Sequence, residues 1–348
     1  MTASIKSVCQ RLKNDKLDAF FISSPDNVSY LSGFKGKDSF LLITHSKDLF
    51  FITDPRYSHQ AQKELKGFEI FSENLPVARK IKSIVKRFNI RKIGFEASHL
   101  SYNNVKKLQA AFKSSCRLLP LTDIIENLRI IKTKDEITSI RKAISITKTA
   151  IKKALDYIRP GMTEAQIAAF LEYQMKKSGA QGEAFPTIVA SGANSCMPHA
   201  VVSHRKIALH EPIIIDCGCC YNGYNSDLTR TVFLGRIDAQ FKSMYNIVRD
   251  AQLKAISKIR PGLKASAIDR AAKDYIIQKG YAKFITHSLG HGVGLQVHEA
   301  PKISEKNNLY LRPGMVFTIE PGIYVPGAGG VRIEDMVLVT DKSHKVLS

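Results

Sequence analysis

Over roughly the first 120 residues, short apolar runs alternate with stripes of apolar residues at helical spacing. Residues 17–23 (Leu-Asp-Ala-Phe-Phe-Ile-Ser) read as a buried strand, and Pro25-Asp26-Asn27 opens a short helix. Phe40 to Thr44 and Leu49 to Thr53 predict two strands of a hairpin around Ser46-Lys47-Asp48. A helix from Tyr57 to Leu65, a strand over Phe68 to Phe71 and a helix through Ile81, Ile84, Val85 and Phe88 come next. A strand at Lys92 to Phe95, a helix through Val105, Leu108, Ala111 and Phe112, and a strand near Arg117 to Leu119 complete the series. Strands alternating with helices predict an α/β domain.

The pattern then changes. Ile124 to Lys134 is a basic connecting stretch, and a long amphipathic helix follows Asp135-Glu136. Its stripe is Ile137, Ile140, Ile144, Ile151, Ala154, Leu155 and Ile158, and Pro160-Gly161 stops it. A domain boundary near 122 to 132 results, giving domains 1–125 and 126–348.

The second domain repeats itself. Ile158-Arg-Pro-Gly161 recurs as Ile259-Arg-Pro-Gly262, each after one amphipathic helix and before another that ends in glycine (Gly179, Gly280). Further on, Ile213-Ile-Ile-Asp216-Cys-Gly218 corresponds to Phe317-Thr-Ile-Glu320-Pro-Gly322. Two copies of one unit are expected.

Each copy carries a second carboxylate on the return strand of a hairpin. Asp216 and Asp227 are centred between Tyr221 and Asn222, beside the turn-forming Asn222-Gly223; Glu320 and Glu334 are centred on Gly327. Equal distance from a turn predicts cross-strand neighbours on one face, with Cβ atoms roughly 5 Å apart. Like charges that close repel each other unless a cation lies between them. Any one of these carboxylates reads most simply as an exposed strand residue; four, placed symmetrically at the ends of apolar strands, do not.

Three of the ten histidines fall between His287 and His298, in His-Ser-Leu-Gly-His-Gly-Val-Gly-Leu-Gln-Val-His, with glycines on both sides of His291. The glycine order is not that of a dinucleotide fingerprint, and His298-Glu299 lacks the second histidine of a zincin helix. Adding His291 to the carboxylates gives five nitrogen and oxygen ligands without a thiolate, a set suited to two divalent cations such as Mn, Co, Zn or Fe(II). Two such ions sharing a water would lower its pKa, which is hydrolytic chemistry.

Bulk properties narrow the picture. No apolar run approaches the ~18 residues of a membrane span, and Met1 to Lys16 carries four cations with no apolar segment, so the expected compartment is the cytoplasm. The net charge is +21, yet the lysines are spread along the helices, from Lys63 to Lys177, with no block and no interleaved aromatics. A solvated surface is therefore expected rather than a nucleic-acid partner. Of six cysteines, Cys217, Cys219 and Cys220 crowd together without the paired spacing of a thiolate metal site, and are read as reduced, small, buried residues.

These residues resemble the pita-bread metallopeptidase family, which includes methionine aminopeptidase, aminopeptidase P and prolidase. The resemblance is to its Xaa-Pro branch, through Thr286 to Leu295, His298-Glu-Ala-Pro301, Glu320-Pro-Gly-Ile-Tyr324, Gly330 to Asp335 and Ser226-Asp-Leu-Thr-Arg-Thr231. Asn27-Val-Ser-Tyr-Leu-Ser-Gly33 and Thr53-Asp-Pro-Arg-Tyr57 extend it over essentially the whole chain. It implies a creatinase-like α/β N-terminal domain and an α+β pita-bread catalytic domain with an internal pseudo-twofold repeat. It further implies a dimetal Xaa-Pro aminopeptidase acting on peptides with proline at the second position, with a dipeptidase restricted to Xaa-Pro as the alternative. The implied ligands are Asp216, Asp227, His291, Glu320 and Glu334, holding two divalent ions per chain, Mn(II) first and Co(II), Zn(II) or Fe(II) otherwise. Glu320 would accept a proton, His298 would stabilise the tetrahedral intermediate, and His199 would contact substrate near the scissile carbonyl. Arg332 is left between a substrate carboxylate and the metal-binding carboxylates, and His287 between substrate and a loop brace. A homodimer is implied as well.

The chain departs from the family pattern at Leu209-His210-Glu211-Pro212, before Asp216, and at Cys217-Gly-Cys219 after it, where thiols could tune metal choice or confer oxidation sensitivity. Three other readings fit less well. Methionine aminopeptidases usually lack the large N-terminal domain, creatinase-like amidinohydrolases lack the ligands, and a non-catalytic binding protein would not keep all five.

Overall fold

The computed structural model describes residues 2–348, which divide into two units, one ending at Leu128 and the other running from Arg129 to Ser348. The first is built on a six-stranded sheet in the order Glu69–Phe71, Leu49–Ile52, Phe40–Thr44, Ala19–Ile22, Lys92–Glu96, Arg117–Leu121. Ala19–Ile22 runs antiparallel to Phe40–Thr44 and parallel to Lys92–Glu96. Apolar runs suit this sheet because helices cover both faces: Phe20 and Ile22 pack with Ile5, Val8 and Leu12, whereas Ala19 and Phe21 pack with Ile81, Ile84 and Val85. The helix Ala3–Asn14, capped by Thr2, is an element that reading the N-terminus only for a leader segment misses, although Ile5, Val8, Cys9 and Leu12 mark its buried face.

The second unit holds two helix pairs. Lys134–Tyr157 and Glu164–Lys177 both begin with a reciprocal capping box, Thr133 with Glu136 and Thr163 with Gln166. Ala239–Lys258 and Ala265–Gln278 form the second pair. Each pair covers its own apolar cluster, one containing Ile140, Leu171 and Ile215, the other Val248, Ile268 and Phe317. Gly161 and Gly262 take φ of 86° and 80° in the two turns, the left-handed conformation that glycine adopts without strain. Leu155, assigned above to the buried stripe, is 45% exposed: Ile151, Ala154 and Ile158 around it stay buried, so Leu155 falls outside the packed face. The connecting stretch is also more structured than its composition suggests: Glu126–Arg129 is helical, Ile131 pairs with Met315, and Arg129 and Lys132 are buried.

The strands form small antiparallel sheets. Ile188–Ser191, Pro212–Cys217 and Leu228–Phe233 make one; Glu299–Ile303, Gly290–Gly292, Val316–Ile319, Asp335–Val339 and His344–Val346 make another. The second predicted hairpin keeps its register: Ile319 pairs with Asp335 and Gly322 with Arg332, so Glu320 stands opposite Glu334. The first does not. Cys220 pairs with Asn225 and Tyr221 with Tyr224, placing the turn at Asn222-Gly223, both with positive φ. Thr229 therefore lies opposite Asp216, and Asp227 lies diagonal to it. A shift by two residues preserves the face, so the error changes the distance expected but not the side.

Candidate dimetal active site

Each side chain singled out above lines one cavity of about 1080 Å³ in the second unit: His199, Asp216, Asp227, His287, His291, His298, Glu320, Arg332 and Glu334. The glycines around His291 are explained by close approach. A Cβ on Gly290 would lie 2.0 Å from the Thr318 carbonyl oxygen, and one on Gly292 2.2 Å from that of Ala300. Only bare backbone lets the strand carrying His291 fit between its neighbours.

Asp227, His291 and Glu334 each bring a ligand atom within 4.8 Å of those of the other two. His291 Nε2 lies 3.6 Å from Asp227 Oδ2 and 3.3 Å from Glu320 Oε1. Its Nδ1 donates to the Gly292 carbonyl oxygen at 3.2 Å, which leaves Nε2 as the atom facing the carboxylates. Thr318 Oγ1 accepts from the His291 N–H and donates to Glu320 Oε1 at 3.0 Å. Glu334 Oε2 accepts from Thr229 Oγ1 at 2.8 Å, and Asp216 Oδ2 accepts from Arg332 Nη2 at 2.7 Å. Asp216 thus turns one oxygen to an arginine rather than joining the tight triplet.

Electrostatics follow from burial. Desolvation raises Asp216, and it raises Asp227 and Glu334 well above the usual carboxylate range, with neighbouring carboxylates adding to the rise in all three. Burial also pushes Glu320 up, but the hydrogen bond and charge of His291 outweigh it and leave Glu320 lowered. For His291, burial is outweighed by Glu320 and Asp227, which raise it to about 9. His298 is lowered by burial and by His291, its ring centroid 4.2 Å away.

Such a donor set fits divalent cations. Asp216 Oδ1 and Glu334 Oε1 are buried with no hydrogen-bond partner among the described residues, which is costly for carboxylates and natural for atoms that ligate. Four carboxylates and one imidazole nitrogen, all oxygen or nitrogen donors, converge on one cavity.

For the two open assignments the geometry is informative. Arg332, 2% exposed, donates through Nε to Thr229 Oγ1, through Nη1 to Tyr324 Oη and the Pro198 carbonyl oxygen, and through Nη2 to Asp216. All three nitrogens are engaged inside the protein, which is the geometry of an anchor for carboxylates rather than of a substrate ligand. Because Arg332 can only donate, the Tyr324 hydroxyl proton is free for His287 Nε2, 2.9 Å away, and His287 Nδ1 donates to the Ser288 carbonyl oxygen at 2.8 Å. His287 thus has both nitrogens occupied within the protein, the geometry of a loop brace.

Thr229, Thr318, Tyr324 and Lys302 take part without having been singled out from the sequence. Thr229 and Thr318 stand two residues from Asp227 and Glu320, a spacing that puts strand residues on one face and was the available signal. Lys302 lines the cavity four residues after His298. The thiols are free, and Cys217 and Cys219 are buried as expected. Cys217 and Cys219 pack into the core under the first helix pair, where burial raises both; Cys220 is half-buried and donates to Gln181. Cys217 does not line the cavity, because it alternates with Asp216 along the strand.

Fold and site define a metal-dependent hydrolase with a separate N-terminal domain. Residues 138–341 match metallopeptidase family M24, and residues 5–131 match the creatinase/prolidase N-terminal domain; the chain belongs to this metallopeptidase family. It is 38% identical to the Xaa-Pro dipeptidase of Pyrococcus horikoshii over 353 residues, covering 100% of this chain and 97% of that one. Among solved structures it resembles an Xaa-Pro dipeptidase from Bacillus anthracis (TM-score 0.96, 37% identity, 99% and 96% covered). It also resembles an X-Pro aminopeptidase from Thermotoga maritima (TM-score 0.90, 37% identity, 97% of each). As in other members of the family, the protein is a metallopeptidase that uses divalent metal ions. No helix among the described residues is long and apolar enough to cross a membrane.

Proposed function

We propose that this protein is an Xaa-Pro dipeptidase, releasing proline from dipeptides in the cytoplasm. Sequence alone puts an aminopeptidase first; the relatives named as dipeptidases reverse that order. The observation that carries the reading is the convergence of Asp227, His291 and Glu334 in a cavity that also contains Lys302. A dipeptide presents a free carboxylate beside the scissile bond. Arg332 is fully engaged elsewhere, so Lys302 is the cavity cation with a charge to offer it.

Asp216, Asp227, His291, Glu320 and Glu334 would hold two divalent ions, Mn(II) first. When bound, the ions supply Lewis acidity and lower the pKa of the attacking water. Glu320, on the cavity wall beside His291, is suited to accept the proton of that water. His298, with its pKa lowered, is suited to donate as a neutral imidazole to the developing oxyanion; His199, exposed at the cavity wall, would contact substrate near the scissile carbonyl. Arg332 keeps Asp216 turned toward the site. A homodimer is the proposed assembly, and a monomeric mass at working concentration with full activity would exclude it.

The test compares metal-stripped and Mn(II)-loaded protein on an Xaa-Pro dipeptide and on Arg-Pro-Pro, with Lys302→Met as the variant. Metal-dependent cleavage of the dipeptide, with KM raised roughly tenfold or more by the variant, supports the reading, since a charge-assisted hydrogen bond is worth about 1.5–3 kcal/mol. Equal cleavage of both peptides, indifferent to Lys302, returns the aminopeptidase to first place.

A further inference from the structure

The basic connecting stretch and the loop that carries His298 meet in a buried ionic cluster. Glu299 follows His298 directly, and its side chain is 7% exposed. Arg129 Nη2 donates to Glu299 Oε2, and Lys132 Nζ donates to Oε1 at 2.7 Å; these cations are themselves 4% and 2% exposed. Burying two cations is costly unless each meets a carboxylate, and here one carboxylate serves both.

Backbone closes around the same group. The Gln296 N–H points to Glu299 Oε2 at 3.4 Å, and Gly294 passes so near that a Cβ there would lie 2.3 Å from Oε1. Residues 294–299 are therefore wrapped on the Glu299 carboxylate. The other end of the clamp is fixed: the Lys132 N–H donates to the Gly314 carbonyl oxygen at 2.8 Å, and Ile131 bridges to Met315, which packs in the core under the second helix pair. His298, the neighbour of Glu299, lines the cavity with its ring against His291.

We infer that Glu299, clamped between Arg129 and Lys132, is a positioning residue for hydrolysis: it sets the loop that presents His298 to the substrate carbonyl. This rests on His298 being the oxyanion donor proposed above. A neutral amide at 299 would remove the carboxylate that both cations share, and the loop would lose its template.

The experiment is a double-mutant cycle on Mn(II)-loaded protein with an Xaa-Pro dipeptide, using Glu299→Gln, His298→Ala and the pair. Glu299→Gln is expected to lower kcat about 100-fold, the scale of a 1 Å misplacement, with KM little changed. In the His298→Ala background it should add almost nothing. Losses that multiply, or an unchanged kcat in Glu299→Gln, overturn the inference. If Glu299→Gln does not fold, Arg129→Met leaves a one-to-one pair with Lys132 and should show a smaller kcat loss with the same non-additivity; additive behaviour counts against the clamp. If His298→Ala alone leaves kcat intact, the oxyanion assignment fails, and amide exchange of residues 294–299 in Glu299→Gln judges the clamp by itself: faster exchange supports it, unchanged exchange refutes it.

Discussion

The two halves of the catalytic unit repeat one plan and execute it differently. In the first, a tight turn at Asn222-Gly223 offsets Asp227 from Asp216 along the strand. In the second, the longer loop through Gly327 leaves Glu320 opposite Glu334. The ties between halves are equally uneven: Arg332 of the second reaches Asp216 of the first, and Thr229 of the first reaches Glu334 of the second, whereas Glu320 is held from its own half by Thr318 and His291. A repeated sequence thus makes a site with one carboxylate pair from each half, a histidine from the second alone, and unequal support. Each half orients a carboxylate of the other, so neither builds the site alone.

The largest expected effect tests whether the halves are equivalent at the centre. Asp227→Asn and Glu334→Gln should each abolish detectable Xaa-Pro hydrolysis and lower the bound metal measured by elemental analysis. Retention of metal and activity by one alone would show that the halves are not equal partners.

Proton linkage comes next. In the metal-free protein His291 holds its proton up to about 9, because Glu320 and Asp227 favour the charged form. Ligation needs that nitrogen free, so metal affinity should weaken as pH falls below about 9, by at least roughly tenfold per unit, since the raised Asp227 and Glu334 carboxyls would give up protons too. Calorimetric titrations in buffers of differing ionisation enthalpy should detect proton release at pH 7; none would mean that His291 is not a ligand.

The supports between halves should matter less than the ligands. Arg332→Met is expected to weaken metal binding by about 10–100-fold, the usual cost of losing a group that orients a ligand, and Thr229→Val to do so by less. Equilibrium metal titration ranks them, and the reverse order would place the main support on Glu334.

The smallest effects concern the matching glycines. A Cβ on Gly218 would lie 1.9 Å from the Ser226 carbonyl oxygen, while one on Gly322 would meet the Tyr324 side chain first, 2.5 Å from its hydroxyl and 2.7 Å from its ring. Gly218→Ala should cost about 1–3 kcal/mol by overpacking, and Gly322→Ala less, since a side chain yields more readily than backbone. Denaturant midpoints decide; equal losses would mean that the Tyr324 network is as rigid as the strand.

Much of this was legible in the sequence because it depends on spacing along one chain. Strand and helix periods gave the α/β domain, and the recurrence of Ile-Arg-Pro-Gly gave the repeat. The second hairpin's register could be counted from Gly327, but the first misled, because Asn222-Gly223 forms the turn itself rather than lying beside it. The helix at Ala3–Asn14 carries a readable stripe, Ile5, Val8, Cys9 and Leu12, set among its charged positions. The connecting stretch reads only as basic, because composition does not say which cations are buried.

By itself, then, the sequence determined the chemical inventory and the local order: which carboxylates and histidines exist, which element each occupies, and which strand face it takes. Only the tertiary structure decided their partners. That Arg332 anchors Asp216, that His287 spends both nitrogens on its surroundings, that Cys217 faces the core and that Arg129 and Lys132 share Glu299 all depend on contacts between segments far apart in the chain. Periodicity fixes the direction of a side chain relative to its own backbone; it carries no information about what another segment brings to meet it.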